Sequence, residues 1–170
     1  SGDWENPYVT LVPAFEAKVL EVLARQDSLL SIINSPAHNP TGYSLTDSEW
    51  DAVLDVLKGQ ANKGKRIALL VDIAYIDFAG DAEKCREFMK KFSNLPANMI
   101  VMLSVSMSKS FTLYGQRTGA IIGISSDKEA IDEFKVAMDV TSRGTWSNIN
   151  RSAMQILATI NEEKALFDAV

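Results

Sequence analysis

Residues 102–122, MLSVSMSKSFTLYGQRTGAII, carry an apolar run into four alternating serines, with Lys109 among them and Arg117 shortly after. A lysine at the mouth of a buried strand is costly to desolvate unless chemistry needs it there. Two other apolar runs end in equally polar residues. Leu29–Asn34 is followed by His38, Asn39, Pro40, Thr41 and Gly42, and RIALLVD ends at Asp72 with Tyr75 close behind. The third run, NMIVMLSVS, leads to Ser106, Ser108, Lys109, Tyr114 and Arg117. Ligands of an open parallel sheet sit beyond the carboxyl ends of its strands. Three such ends place an amide, a carboxylate, a phenol, hydroxyls, an amine and a guanidinium around one crevice.

These types suit one kind of ligand. A carboxylate at a dry strand end needs a cationic partner. Serine hydroxyls beside an arginine fork suit a phosphate dianion, held by charge-assisted hydrogen bonds. A lysine near other positive charge loses basicity and becomes a nucleophile and general base near neutral pH. A phosphorylated pyridine aldehyde satisfies all of these demands together. His38, a lone histidine in a Pro-rich loop, is read as structural, and no clustered His/Cys/carboxylate set points to a metal. Gly59–Lys65, GQANKGK, imitates a phosphate-binding loop, but Arg66 replaces the required Ser/Thr and a strand follows where a helix should. It reads as a turn.

The elements that must position these residues alternate between apolar runs and helical periods, which indicates an α/β fold. A helix is expected over Pro13–Gln26 with Phe15, Val19, Val22 and Leu23 on one face, then a strand at Leu29–Asn34. Thr46-Asp47-Ser48-Glu49 has capping-box spacing and opens a helix whose buried stripe is Trp50, Val53, Leu54 and Leu57. RIALLVD, apolar on both faces, reads as an interior parallel strand. Cys85, Phe88, Met89 and Phe92 form another helical stripe before the next strand. TGAIIGI follows the lysine loop too soon for a crossover helix, so it runs antiparallel. Ser126–Glu129 caps a helix carrying Ala130, Ile131, Phe134 and Met138. TSRGTWSN reads as a loop before a last helix from about Asn150. The fold expected is a three-layer α/β/α arrangement around a mostly parallel sheet with one antiparallel strand.

The chain has 170 residues, a net charge of −5 and 46% hydrophobic residues. That length suits one domain, and the acidic balance leaves no footprint for nucleic acid or an anionic membrane. No apolar run approaches the ~20 residues of a membrane span, and no signal pattern opens the chain. The single cysteine, Cys85, excludes an internal disulfide and favours a reducing, cytoplasmic setting. The sequon at Asn150-Arg151-Ser152 is read as coincidental. SGDWENPY contains no recognisable element and EEKALFDAV stops in helical sequence, so both ends read as cut.

NPTG at 39–42, DIAY at 72–75 and SMSKSFTLYGQRTG at 106–119 occur in the order and at the separations of a known family. Together they closely resemble the fold-type-I pyridoxal-phosphate aminotransferases, in the aspartate/aromatic branch, over nearly the whole chain after about Ala14. The resemblance implies pyridoxal 5'-phosphate as cofactor and transamination between an aspartate-like or aromatic amino acid and a 2-oxo acid. Lys109 then matches the lysine that forms the Schiff base and moves the Cα proton. Asp72 matches the carboxylate that keeps the pyridine nitrogen protonated, making the ring an electron sink. Asn39 and Tyr75 match the partners of the phenolic oxygen, Ser106, Ser108 and Arg117 match the phosphate group's ligands, and Tyr114 matches a tyrosine near the lysine.

Arg143, followed by Trp146-Ser147-Asn148, resembles the R-x-x-Y-S-N segment of aspartate-type enzymes, with tryptophan in place of tyrosine. There the arginine crosses a homodimer interface to bind a substrate's distal carboxylate. The resemblance also implies that residues 1–170 are the central part of a large domain. The upstream phosphate loop and ring-stacking aromatic are then outside the chain, as is the small domain with its α-carboxylate arginine. Such a chain is not expected to transaminate alone. Two other readings stay open: a different reaction of the same cofactor, such as β-elimination, and a non-catalytic domain fragment.

Overall fold

A computed structural model describes residues 11–167. The strands β1 (Ser28–Asn34), β2 (Arg66–Asp72), β3 (Met99–Ser106) and β4 (Gly119–Ile124) form one sheet in that order. β1, β2 and β3 are parallel, and β4 returns antiparallel to β3. The expected mostly parallel sheet with one antiparallel strand is therefore present. Asn34 pairs with Asp72, and Asp72 with Ser104, so β1 and β2 end level while β3 runs past them to Ser106 at the same end of the sheet.

One face of the sheet is closed by α1 (Leu11–Leu23), α2 (Asp47–Ala61) and a 3₁₀ segment at Lys84–Phe92. Ile67, Leu69 and Val71 alternate inward on β2, and Met99, Val101 and Leu103 do so on β3. The expected stripe of α2 is fully inside: Trp50, Val53, Leu54 and Leu57 are each no more than 2% exposed. Thr46 and Glu49 make the reciprocal capping-box bonds that start this helix. Trp50 stacks on Phe88 at 5.0 Å and meets Phe92 edge-on at 5.7 Å, which fixes the 3₁₀ segment against α2.

The opposite face carries α4 (Lys128–Thr145), whose Phe134 lies against Gly123 of β4. This places helices on both sides of the sheet. At the β1 end, Leu30 and Ile32 on that second face are exposed. No helix among the described residues is long and apolar enough to cross a membrane.

Four boundaries differ from the sequence reading. The first helix, α1, ends at Leu23 and not at Gln26, because the chain must already be turning at Ala24 and Arg25 for Asp27 to accept from Arg66 N–H. The Cys85–Phe92 stripe is inward-facing but wound as 3₁₀, with tighter turns than the α spacing implied. The cap of α4 is Asp127, whose side chain accepts from Glu129 N–H, while the Ser126 hydroxyl donates to Leu95 C=O. The TSRGTWSN loop is helical through Thr145. Its last turn is closed by Ser147 N–H on Arg143 C=O, with Ser147 left-handed at φ 65°, a helix-stopping conformation.

After this turn Asn150 caps α5 (Arg151–Glu162). α6 (Lys164–Phe167) follows, and α3 (Met107–Ser110) sits at the end of β3. Of the expected turn GQANKGK, residues 59–61 still belong to α2 and only residues 62–65 turn the chain into β2, with Gly64 at φ +89°, a backbone state that strains side-chain-bearing residues. SGDWENPY and the final residues 168–170 lie outside the described residues.

Candidate functional site

The ends of β1, β2 and β3 each hand the chain to a short polar segment. After β1, a loop is pinned to its surroundings at several points. The buried Ser35 hydroxyl accepts from Leu45 N–H, the Ser44 hydroxyl from Ala37 N–H, and Tyr43 C=O from His38 N–H. Tyr43 also donates its phenol to Glu49 of α2. Asn39 is thereby held at the loop's exposed tip, and its Nδ2 donates to the Tyr75 hydroxyl across 3.2 Å.

After β2, Asp72 is half-buried and accepts from Ala74 N–H through Oδ1 at 3.0 Å, a turn that starts the path to Tyr75. After β3, the Ser106 side chain caps α3 by accepting from Ser108 N–H. That helical turn presents Lys109, whose Nζ lies 4.4 Å from the Tyr114 ring centroid and 5.4 Å from that of Tyr75. The antiparallel return closes the loop: Met107 N–H donates to Thr118 C=O, and Ser106 pairs with Gly119.

Arg117 takes the left-handed conformation at φ 52° just before β4. Its Nη1 donates to the buried Ser108 hydroxyl at 3.3 Å and to Tyr114 C=O at 3.0 Å. A left-handed arginine costs on the order of 1 kcal/mol or more. Here it turns the chain into β4 while its side chain points back towards α3.

The structure thus brings Asn39 to Tyr75, both Tyr75 and Tyr114 to Lys109, and Ser108 to Arg117. Among the described residues, Asp72, Lys109 and Arg117 take part in no ion pair. Arg143 stands apart, exposed on the last turn of α4 with Nη1 on Ser147 C=O at 3.1 Å. His38 bonds Thr41 inside its own loop, in keeping with a structural role. An apolar hollow of about 650 Å³ between α1, β1 and this loop includes His38 and Thr41 but none of Asp72, Tyr75, Lys109 or Arg117. Among the described residues, no group of His, Cys, Asp or Glu is placed to hold a metal.

Asn34 is the residue the sequence reading passed over. Its side chain donates to Asp72 C=O at 3.1 Å and accepts from Asn39 N–H at 2.9 Å. An amide as the last residue of a strand, directly before a Pro-rich loop, was the available signal. Glu49 was legible in part, through its capping box with Thr46, and Tyr43 was not.

Burial raises the Glu49 carboxyl. The hydrogen bonds it accepts from Tyr43 and from the backbone and hydroxyl of Thr46 outweigh that, holding it below its ordinary value. The loop end at α2 is therefore tied to an ionised carboxylate.

The chain is similar to solved structures and curated sequences of one kind. An aminotransferase from Anaerococcus prevotii shares 45% identity at a TM-score of 0.90, covering 93% of this chain and 39% of that one. An aromatic-amino-acid aminotransferase from Burkholderia pseudomallei, solved covalently bound to pyridoxal phosphate, shares 28% at a TM-score of 0.73, covering 91% of this chain and 37% of that one. The tyrosine aminotransferase of Klebsiella pneumoniae is 31% identical over 87% of this chain and 35% of its own length. The chain spans about a third of the length of the curated relatives it matches. Residues 14–168 match the profile of aminotransferase class I and II, and the chain belongs to that family.

Proposed function

We propose that the protein provides the cofactor-binding core of a pyridoxal-phosphate-dependent aminotransferase, acting between an aspartate-like or aromatic amino acid and a 2-oxo acid. What supports this reading is that Tyr75, just past Asp72 at the end of β2, meets both Asn39 from the loop after β1 and Lys109 from the turn after β3. Asp72, Lys109 and Arg117 meanwhile take part in no ion pair among the described residues. An anionic, aldehyde-bearing, basic ring complements that set, whereas three unpaired charges serve no packing purpose. The donor set therefore fits the cofactor.

When bound, pyridoxal phosphate supplies an aldehyde that captures amines and a ring that accepts the electron pair left at Cα. Lys109 is the amine that anchors the cofactor, and its Nζ takes and returns the Cα proton. Asp72 holds a proton on the ring nitrogen. Tyr75 and Asn39 donate to the ring's oxygen, and their mutual hydrogen bond keeps them adjacent. Arg117, Ser106 and Ser108 bind the phosphate. Arg143 reaches a substrate's distal carboxylate across a homodimer interface. The remaining large-domain segments and the small domain lie outside these 170 residues. A lone cysteine accords with a cytoplasmic setting.

The test is a titration of the protein with pyridoxal phosphate followed by borohydride reduction and peptide mapping. A reduced adduct on Lys109 is expected. An intact protein that forms no adduct overturns the reading and favours a non-catalytic fragment. Where an adduct forms, keto-acid-dependent amino transfer against release of ammonia and pyruvate by the complete enzyme separates transamination from β-elimination.

A further inference from the structure

We infer that Asn34 is a positioning residue that sets the aim of Asn39 and Tyr75 at the ring of the bound cofactor; the inference rests on the functional reading above. Asn34 ends β1 opposite Asp72. Its Nδ2 donates to Asp72 C=O at 3.1 Å, which also accepts from Ser35 N–H at 3.2 Å. Its Oδ1 accepts from Asn39 N–H at 2.9 Å. Asn39 in turn donates to the Tyr75 hydroxyl. One planar amide therefore joins the end of β1, the end of β2 and the tip of the loop after β1.

The chemistry of the side chain is specific. An amide offers a donor and an acceptor in one rigid plane. Flipping it would set its oxygen against the Asp72 carbonyl and its NH₂ against the Asn39 N–H, so the neighbours fix its orientation. Asn39 is exposed, and its N–H can turn to water if Asn34 is lost. Loss of this bridge consequently costs little in folding but releases the aim of the Asn39 side chain. A donor that no longer faces the ring oxygen stabilises its deprotonated form less, and the adduct then holds its proton to higher pH.

Three readouts test this on Asn34→Leu, which removes both bonds, beside the unaltered protein. Amide exchange at Asn39 should accelerate in the ligand-free protein. Pyridoxal phosphate should bind about tenfold more weakly by fluorescence titration. The pH midpoint of the visible absorbance of the Lys109 adduct should move up. If Asn34→Leu does not melt cooperatively, Asn34→Ala, which also removes both bonds and only leaves space, is read in the same way. A folded variant with unchanged Asn39 exchange, or with faster exchange but unchanged affinity and midpoint, overturns the inference and leaves the functional reading standing. If the unaltered protein itself forms no adduct, the functional reading fails and the inference falls with it.

Discussion

Lys109 Nζ stands 4.4 Å from the centroid of the exposed Tyr114 ring, with an aromatic face for company where a buried lysine usually has a carboxylate. A cation over a ring gains about 0.5–1 kcal/mol at exposed sites, much less than a desolvated ion pair. The amine is therefore located but not committed, as its proposed Schiff-base role requires. Lys109→Ala should abolish the borohydride-trapped adduct and, in the complete enzyme, lower amino transfer by about 10²–10⁴-fold. Tyr114→Leu should retain the adduct, since it removes only the weak partner. Full amino transfer by Lys109→Ala of the complete enzyme, measured as keto-acid-dependent turnover, would sink the assignment.

Arg117 predicts a difference between two related ligands. Its guanidinium reaches the buried Ser108 hydroxyl from a left-handed backbone, so the fork is held where an anion could join it. Arg117→Gln should weaken pyridoxal phosphate by about 10–100-fold, the worth of a lost charge-assisted bond. Pyridoxal, which lacks the phosphate, should bind both forms alike. Equal weakening of the two ligands, measured by fluorescence titration, would assign Arg117 to loop stability instead.

The placing of these candidate residues was legible because they are tied to strand ends, and strand ends are marked by abrupt loss of apolar character. RIALLVD ends at Asp72 in the structure as it does in the sequence. The antiparallel β4 followed from a connection too short for a crossover. What escaped was side-chain bridging such as that of Asn34, since its two partners lie in other segments and no periodicity marks them. The extension of α4 through Thr145 escaped for a local reason. Thr141, Ser142 and Gly144 have weak helix propensity, and it is the bonds of the final turn to Ser142 and Arg143 that carry the helix past them.

Glu49 gives the loop a pH signature. Its folded value lies below the ordinary 4.5, because the bonds from Tyr43 and Thr46 outweigh the upward push of burial. A lowered carboxyl contributes stability that is fully present above the unfolded value and is lost as pH falls through the folded one. Glu49→Gln keeps the capping-box acceptor but not the charge. It should be less stable by about 1 kcal/mol at neutral pH, and the two denaturation curves should converge as pH drops below 4.5. A constant gap from pH 7 to pH 3 would remove Glu49's charge from the account.

Two glycines of β4 separate the sheet's integrity from the site's. A Cβ on Gly119 would stand 2.5 Å from Val105 C=O, whereas one on Gly123 would stand 2.8 Å from the Phe134 ring. The first obstacle is backbone and can yield only by moving β4 away from β3, at the register where Gly119 faces Ser106. The second is a side chain on α4 that can turn aside. Gly119→Ala should therefore lose about 1–3 kcal/mol and also weaken pyridoxal phosphate, because Ser106 and Arg117 flank the displaced pairing. Gly123→Ala should lose some stability while leaving affinity near that of the unaltered protein. Chemical denaturation and cofactor titration of both variants make the comparison. Unchanged affinity in a destabilised Gly119→Ala would mean that the close approach of β4 to β3 maintains the sheet but not the lysine loop.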